Sequence, residues 1–162
     1  MNELKLDIRK ALASHLQSVF FGGNWTSVNL KETLQDVDWQ QATNKVSGMN
    51  SIAVLVFHMG YYVREVLKVL RGAPLQAHDK YSFELPPLRS EEEWQRLVNE
   101  TFEQASQFAD AITAMPEGFL GADFSEPKYG TYYHNILGII EHTHYHLGQI
   151  VMLKKMNAHS AS

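Results

Sequence analysis

The apolar residues of this chain recur at three- and four-residue steps over four long segments, a spacing that only packed helices satisfy at this length. In residues 3–21, Leu4, Ile8, Leu12, Leu16, Val19 and Phe20 form one stripe, and Gly22-Gly23-Asn24 stops the helix. Ser51 is placed to cap a second helix that runs to about Arg71 and ends at Gly72-Ala-Pro74. Its start, residues 52–57, is apolar all round, so neighbours are expected on most sides. Ser90-Glu-Glu-Glu93 reads as a capping box opening a third helix to about Met115, with Trp94, Leu97, Val98, Phe102, Ala105, Phe108 and Ile112 inward. A fourth helix begins at Thr131 and ends near Met156.

The segments between these helices carry turn residues. Residues 26–45 read as a connection with a short helical piece around residues 30–36, and Trp25 and Trp39 are expected to fold it onto the bundle. Residues 73–89, with Pro74, Pro86 and Pro87, and residues 116–130 read as loops. No second core, repeat or linker is visible. The expectation is an all-α protein: an antiparallel four-helix bundle in one domain over residues 1–156, with a flexible tail at 157–162. One connection, residues 22–50, is long enough to cross the bundle end.

Composition narrows the function classes. The chain has 162 residues and no Cys, which removes disulfide scaffolds, Cys-based zinc sites and a cysteine nucleophile together. A formal net charge of −4 supplies no field for phosphate, so nucleic acid is not an expected partner. The first residues lack the apolar run of a secretory signal, and no apolar stretch is long enough to span a bilayer. A soluble cytoplasmic protein without membrane contact is expected.

Eight of the residues are His, and His142, His144 and His146 fall close together. Side chains four apart on a helix differ by roughly 40° in direction, so His142 and His146 share a face with Asn135, Ile139, Ile150 and Leu153. His144 points roughly 160° from His146 and cannot join them on a helix. On a strand all three would share a face, but the helical pattern from Tyr132 through Leu153 carries no turn signal. A third ligand then comes from another helix, and His58 is the one His of the second, on a face with Val54, Tyr62, Glu65 and Val69. Three neutral imidazoles with an open position suit Zn, Ni, Fe or Co in a site of catalytic type. The competing reading has His58 hydrogen-bonded in the core and His142 and His146 half-exposed. Thr143 stands where a zincin peptidase needs Glu, which argues against that class.

Ser51-Ile-Ala-Val-Leu-Val-Phe-His58-Met, the closing Leu70-Arg-Gly72, Trp94, and Gly138-Ile-Ile-Glu-His142-Thr-His-Tyr-His146-Leu-Gly-Gln149-Ile together resemble the DinB-like superfamily. The resemblance runs over nearly the whole chain. It implies a four-helix bundle, often dimeric, with one His ligand from the second helix and two from the last, here His58, His142 and His146. It also implies relatives that are metal-dependent S-transferases using a small thiol such as bacillithiol or mycothiol, and one thiol-dependent maleylpyruvate isomerase branch.

Two further residues are candidates beside the triad. Gln149, about 60° from His146, either orients a ligand or binds substrate, or is a plain surface or interface residue. Glu65 is either an acceptor for a ligand imidazole or a general base, or a surface carboxylate. The last helix has a second apolar side, Leu137, Ile140, Leu147 and Val151, which suggests a homodimer interface. Three functions fit: a metal-dependent transferase acting on a small molecule with a small-thiol cosubstrate, a metal-water hydrolase on the same triad, or a metal-binding or structural dimer without turnover.

Overall fold

The computed structural model describes residues 6–46 and 48–160, with side chains as far as Ala158. Six α-helices lie among them: α1 (Ile8–Phe21), α2 (Leu30–Leu34), α3 (Trp39–Thr43), α4 (Ile52–Leu70), α5 (Glu91–Ala114) and α6 (Tyr132–Ser160). Leu4, expected on the first stripe, lies outside the described residues. No described helix is long and apolar enough to cross a membrane.

Side-chain caps set the boundaries. Ser51 Oγ accepts from Val54 N at 3.3 Å and opens α4 as its position predicts. The end of α4 is a Schellman turn: Gly72, at φ +90°, lets Ala73 N reach Lys68 O at 3.0 Å while Gly72 N reaches Val69 O at 2.9 Å. The capping box expected at Ser90 is only half made, because Glu93 Oε2 accepts from Arg89 N, one residue early. A complete box forms instead at Asp38 and Gln41, opening α3. The last helix runs on past Met156, since Asn157 is buried and exchanges hydrogen bonds with Asn44 and the Gln41 carbonyl.

The four long helices pack as a bundle, and pairwise contacts fix their directions. Phe21 meets Phe102, and Arg9 donates to the Met115 carbonyl, so α1 and α5 are antiparallel. His58 faces His142 and His146, whereas Leu55 lines a pocket with Gly148 and Leu153, so α4 and α6 are antiparallel. Gly60 lies against Thr101 and Arg71 bonds Gln107, so α4 and α5 run parallel. A parallel neighbour demands a connection as long as the bundle. Residues 71–90 are therefore the long crossover, not residues 22–50, which fold back at one end as α2 and α3.

Those two short helices are tied to the bundle from several sides. Trp94, fully buried, donates its indole N–H to the Val37 carbonyl at 2.8 Å, and Lys154 reaches the Thr33 carbonyl and Asp36. Trp39 packs against the core, but Trp25 is 97% exposed and does not fold onto the bundle as expected. The second apolar side of α6 is also reassigned. Ile140 and Leu147 are buried within the single chain, where α1 lies over that side and His15 faces His144. The exposed apolar residues of α6 are instead Tyr133, Tyr145, Met152 and Met156.

Candidate metal centre

The antiparallel crossing of α4 and α6 brings three imidazoles to one point. His58 projects from the second turn of α4, and His142 and His146 project from successive turns of α6. His142 Nε2 lies 2.9 Å from His58 Nε2 and 3.1 Å from His146 Nε2. His58 is 4% and His146 7% exposed, while His142 is half-buried. All three ligand atoms lie within 4.8 Å of one another. His144 points away from them to His15, as the helical geometry requires.

The outer nitrogens of two rings are pinned, and this fixes what the inner ones offer. Ser82 Oγ donates its one hydrogen to the Asp79 carbonyl at 2.6 Å. It can therefore only accept at the His58 contact, so His58 Nδ1 carries the proton at 2.8 Å and Nε2 presents a lone pair. Gln149 Oε1 likewise accepts from His146 Nδ1 at 2.7 Å, and His146 Nε2 presents a lone pair. One proton on His142 Nε2 can satisfy only one of its two neighbours. A cation shared by three lone pairs satisfies all of them. The spacing agrees, because nitrogens each about 2.1 Å from one ion, at roughly right angles, lie ~3.0 Å apart.

Electrostatics favour the neutral, ligating form. Burial, together with the neighbouring His146, pushes His58 down to about 4. Burial and both partner rings push His142 down to about 4 as well. His146 is lowered by burial against the opposing effect of Gln149. The donor set thus fits a divalent transition ion, with neutral imidazole ligands at neutral pH.

The sequence profile of the DinB superfamily matches residues 24–150, a span that holds all three histidines and well over half the chain. The chain belongs to the DinB superfamily. Comparison with curated proteins and with solved structures finds no match.

In this DinB superfamily bundle, the crossover supplies what the helices do not. A 3-10 turn over Asp79–Phe83 carries Ser82 to His58 and stacks Phe83 on the His58 ring, with centroids 4.0 Å apart and planes 18° apart. Tyr61 holds the turn's start, accepting from His78 N at 2.8 Å and donating to its carbonyl. Tyr62 stands edge-on to His58 and His142, at 5.2 and 5.1 Å between centroids, and donates to Asp79 Oδ1 at 2.7 Å. Burial and that carboxylate push the Tyr62 phenol up to about 12, so it stays protonated. Beside these rings opens a cleft of about 420 Å³ lined by His58, Tyr62, Asp79, Asn135, Ile139 and His142 among others.

Of the two supporting candidates, Gln149 touches the triad and Glu65 does not. Glu65 is buried, but its carboxylate accepts from Lys68 Nζ at 2.7 Å and Arg64 Nε at 3.4 Å. The place beside His58 belongs to Ser82. Ser82, Phe83 and Asp79 carried no sequence signal, since a crossover has no period to read. The nearest hint was the cluster of Asp, Tyr and Ser between Pro74 and Pro86.

Proposed function

We propose that the protein is a divalent-metal-dependent enzyme that transfers the sulfur of a low-molecular-weight thiol to a small electrophile. The observation that carries this reading is the convergence of three lone-pair-bearing imidazoles, two of which, His58 and His142, line an open cleft. His58, His142 and His146 hold the ion, Ser82 and Gln149 orient two of the rings, and Phe83 and Tyr62 shield them from water. A divalent ion held there supplies Lewis acidity, which favours the deprotonated form of a thiol or of water. The cleft receives the reactants: a carbon–sulfur bond forms as the bond from that carbon to its leaving group breaks. The leaving group departs with the electron pair, and the thiol proton passes to solvent.

The choice of a thiol rests on the resemblance to DinB-like S-transferases. It agrees with a chain that has no Cys and must take its sulfur from a cosubstrate. It also favours a cytoplasmic location, where such thiols stay reduced. Pairing with a second copy would use the exposed Tyr145, Met152 and Met156 of α6, and sedimentation of a Tyr145→Glu variant as a monomer would support that.

The test joins elemental analysis to a conjugation screen with glutathione, bacillithiol and mycothiol. We expect about one divalent ion per chain and thiol-dependent product that chelation abolishes. Ester or amide cleavage without thiol, lost on chelation, would replace the transferase with a hydrolase. A protein that binds no metal and melts unchanged with chelator would remove the catalytic reading.

A further inference from the structure

The cleft beside the histidines is rich in acceptors and poor in donors. Tyr62 commits its one hydroxyl hydrogen to Asp79 Oδ1 at 2.7 Å. Asn135 commits its amide nitrogen to the Tyr129 carbonyl at 2.8 Å and the Thr131 carbonyl at 2.9 Å. Among the described residues this leaves the second oxygen of Asp79 and Asn135 Oδ1 without a protein donor. His134, exposed on the rim, is the lining side chain away from the triad that still has an N–H to give. No Lys or Arg lines the cleft, so Asp79 is its one formal charge.

The position of Asp79 matters as much as its sign. Its carboxylate reaches the hydroxyl end of Tyr62, whose ring leans on His58 and His142. A ligand with its sulfur at the histidines would lie along Tyr62 and end at the carboxylate. An anionic end would meet the like charge of Asp79 in a cleft whose other uncommitted side-chain atoms are mostly acceptors, while an ammonium would meet an opposite charge.

We infer that the cleft selects a ligand bearing a protonated amine, held by Asp79 at the far side of Tyr62 from the histidines. The inference deepens the thiol-transfer reading and rests on it for the sulfur end of the ligand. Asp79 touches the ligand's amine and not the reacting atoms, so it sets specificity.

Three thiols of similar length separate the possibilities: cysteamine, mercaptoethanol and mercaptopropionate, ending in ammonium, hydroxyl and carboxylate. Each is titrated calorimetrically at neutral pH into zinc-loaded protein whose metal content has been measured. Because Asp79 is exposed, the expected preference for cysteamine over mercaptoethanol is modest, about fivefold, with mercaptopropionate weakest. Asp79→Asn keeps an acceptor for the Tyr62 hydroxyl and removes only the charge, so cysteamine should fall to the affinity of mercaptoethanol. Two results overturn the inference and leave the thiol reading standing. One is mercaptopropionate binding wild type as tightly as cysteamine. The other is a cysteamine preference that survives in Asp79→Asn, which would put the amine on the metal. If none of the three binds the zinc-loaded protein, the thiol reading fails and the inference fails with it.

Discussion

At the scale of single residues, the site separates atoms that hold from atoms that orient. His142→Ala removes the nitrogen lying between the other two and should leave the dialysed protein with little or no metal, read by elemental analysis. Ser82→Ala and Gln149→Leu keep all three ligands but free one ring each, so affinity should fall by roughly 10- to 100-fold with metal still bindable. Full metal content in His142→Ala would sink the assignment. The same rings set a pH dependence. His58 and His142 sit at about 4 when folded, below the ~6.5 of an exposed imidazole, so the unfolded chain takes up more protons as pH falls. Stability of the chelated protein should therefore be complete above about pH 6.5 and decline toward pH 4, by ~2–4 kcal/mol with the partial solvation of His142 discounted. Denaturant titrations across that range check it, and a His58→Gln, His142→Gln double variant should lose most of the slope, leaving the part due to His146. The histidines were legible in the sequence because helix geometry alone sorts 142 and 146 from 144. Ser82 was not, since its role depends on a loop reaching across the fold.

At the scale of elements, the close approach of α4 and α5 depends on Gly60. A Cβ there would stand 3.0 Å from Thr101 Oγ1, and Thr101 is buried with its hydroxyl tied to the Leu97 carbonyl at 2.9 Å. Two effects of Gly60→Ala oppose each other. Helix propensity gains about 1 kcal/mol, whereas overpacking a seam that cannot shift costs ~1–3 kcal/mol. We expect the second to win, with a net loss of about 1 kcal/mol. In a Thr101→Ala background the contact disappears and the sign should reverse, which a double-mutant cycle in urea measures directly. Additive effects would mean that the seam is looser than a 3.0 Å approach implies. The helices that form this seam were readable from periodicity, and Ser51 and Gly72 bound α4 where sequence placed them. Their relative direction was not readable. Apolar stripes say which face is buried, but nothing local tells α5 to run alongside α4, so length alone points to residues 22–50 as the crossover when it is residues 71–90.

At the scale of the whole molecule, that crossover makes the metal centre a fastener as well as a site. The bundle itself is closed by contacts far from the histidines: Trp94 with Val37, Phe21 with Phe102, Asn157 with α3. Residues 78–84, by contrast, are held through Tyr61, Tyr62 and the His58 ring with its Ser82 and Phe83 contacts. His58 would hold the ion through Nε2, and its ring, once so fixed, would keep its face under Phe83 and its Nδ1 proton on Ser82. Occupancy at a hundredfold excess over the dissociation constant would stabilise the fold by about 2.7 kcal/mol. The local effect should be larger in proportion, because this turn has few other anchors. Hydrogen exchange followed with and without chelator should show faster exchange at residues 78–84 and at the middle of α6, and little change along α5. Ser82→Ala should show the fast exchange even when metal is bound, since the link from ring to turn is then cut. Equal protection of residues 78–84 in both states would mean that the turn is held by the tyrosines alone.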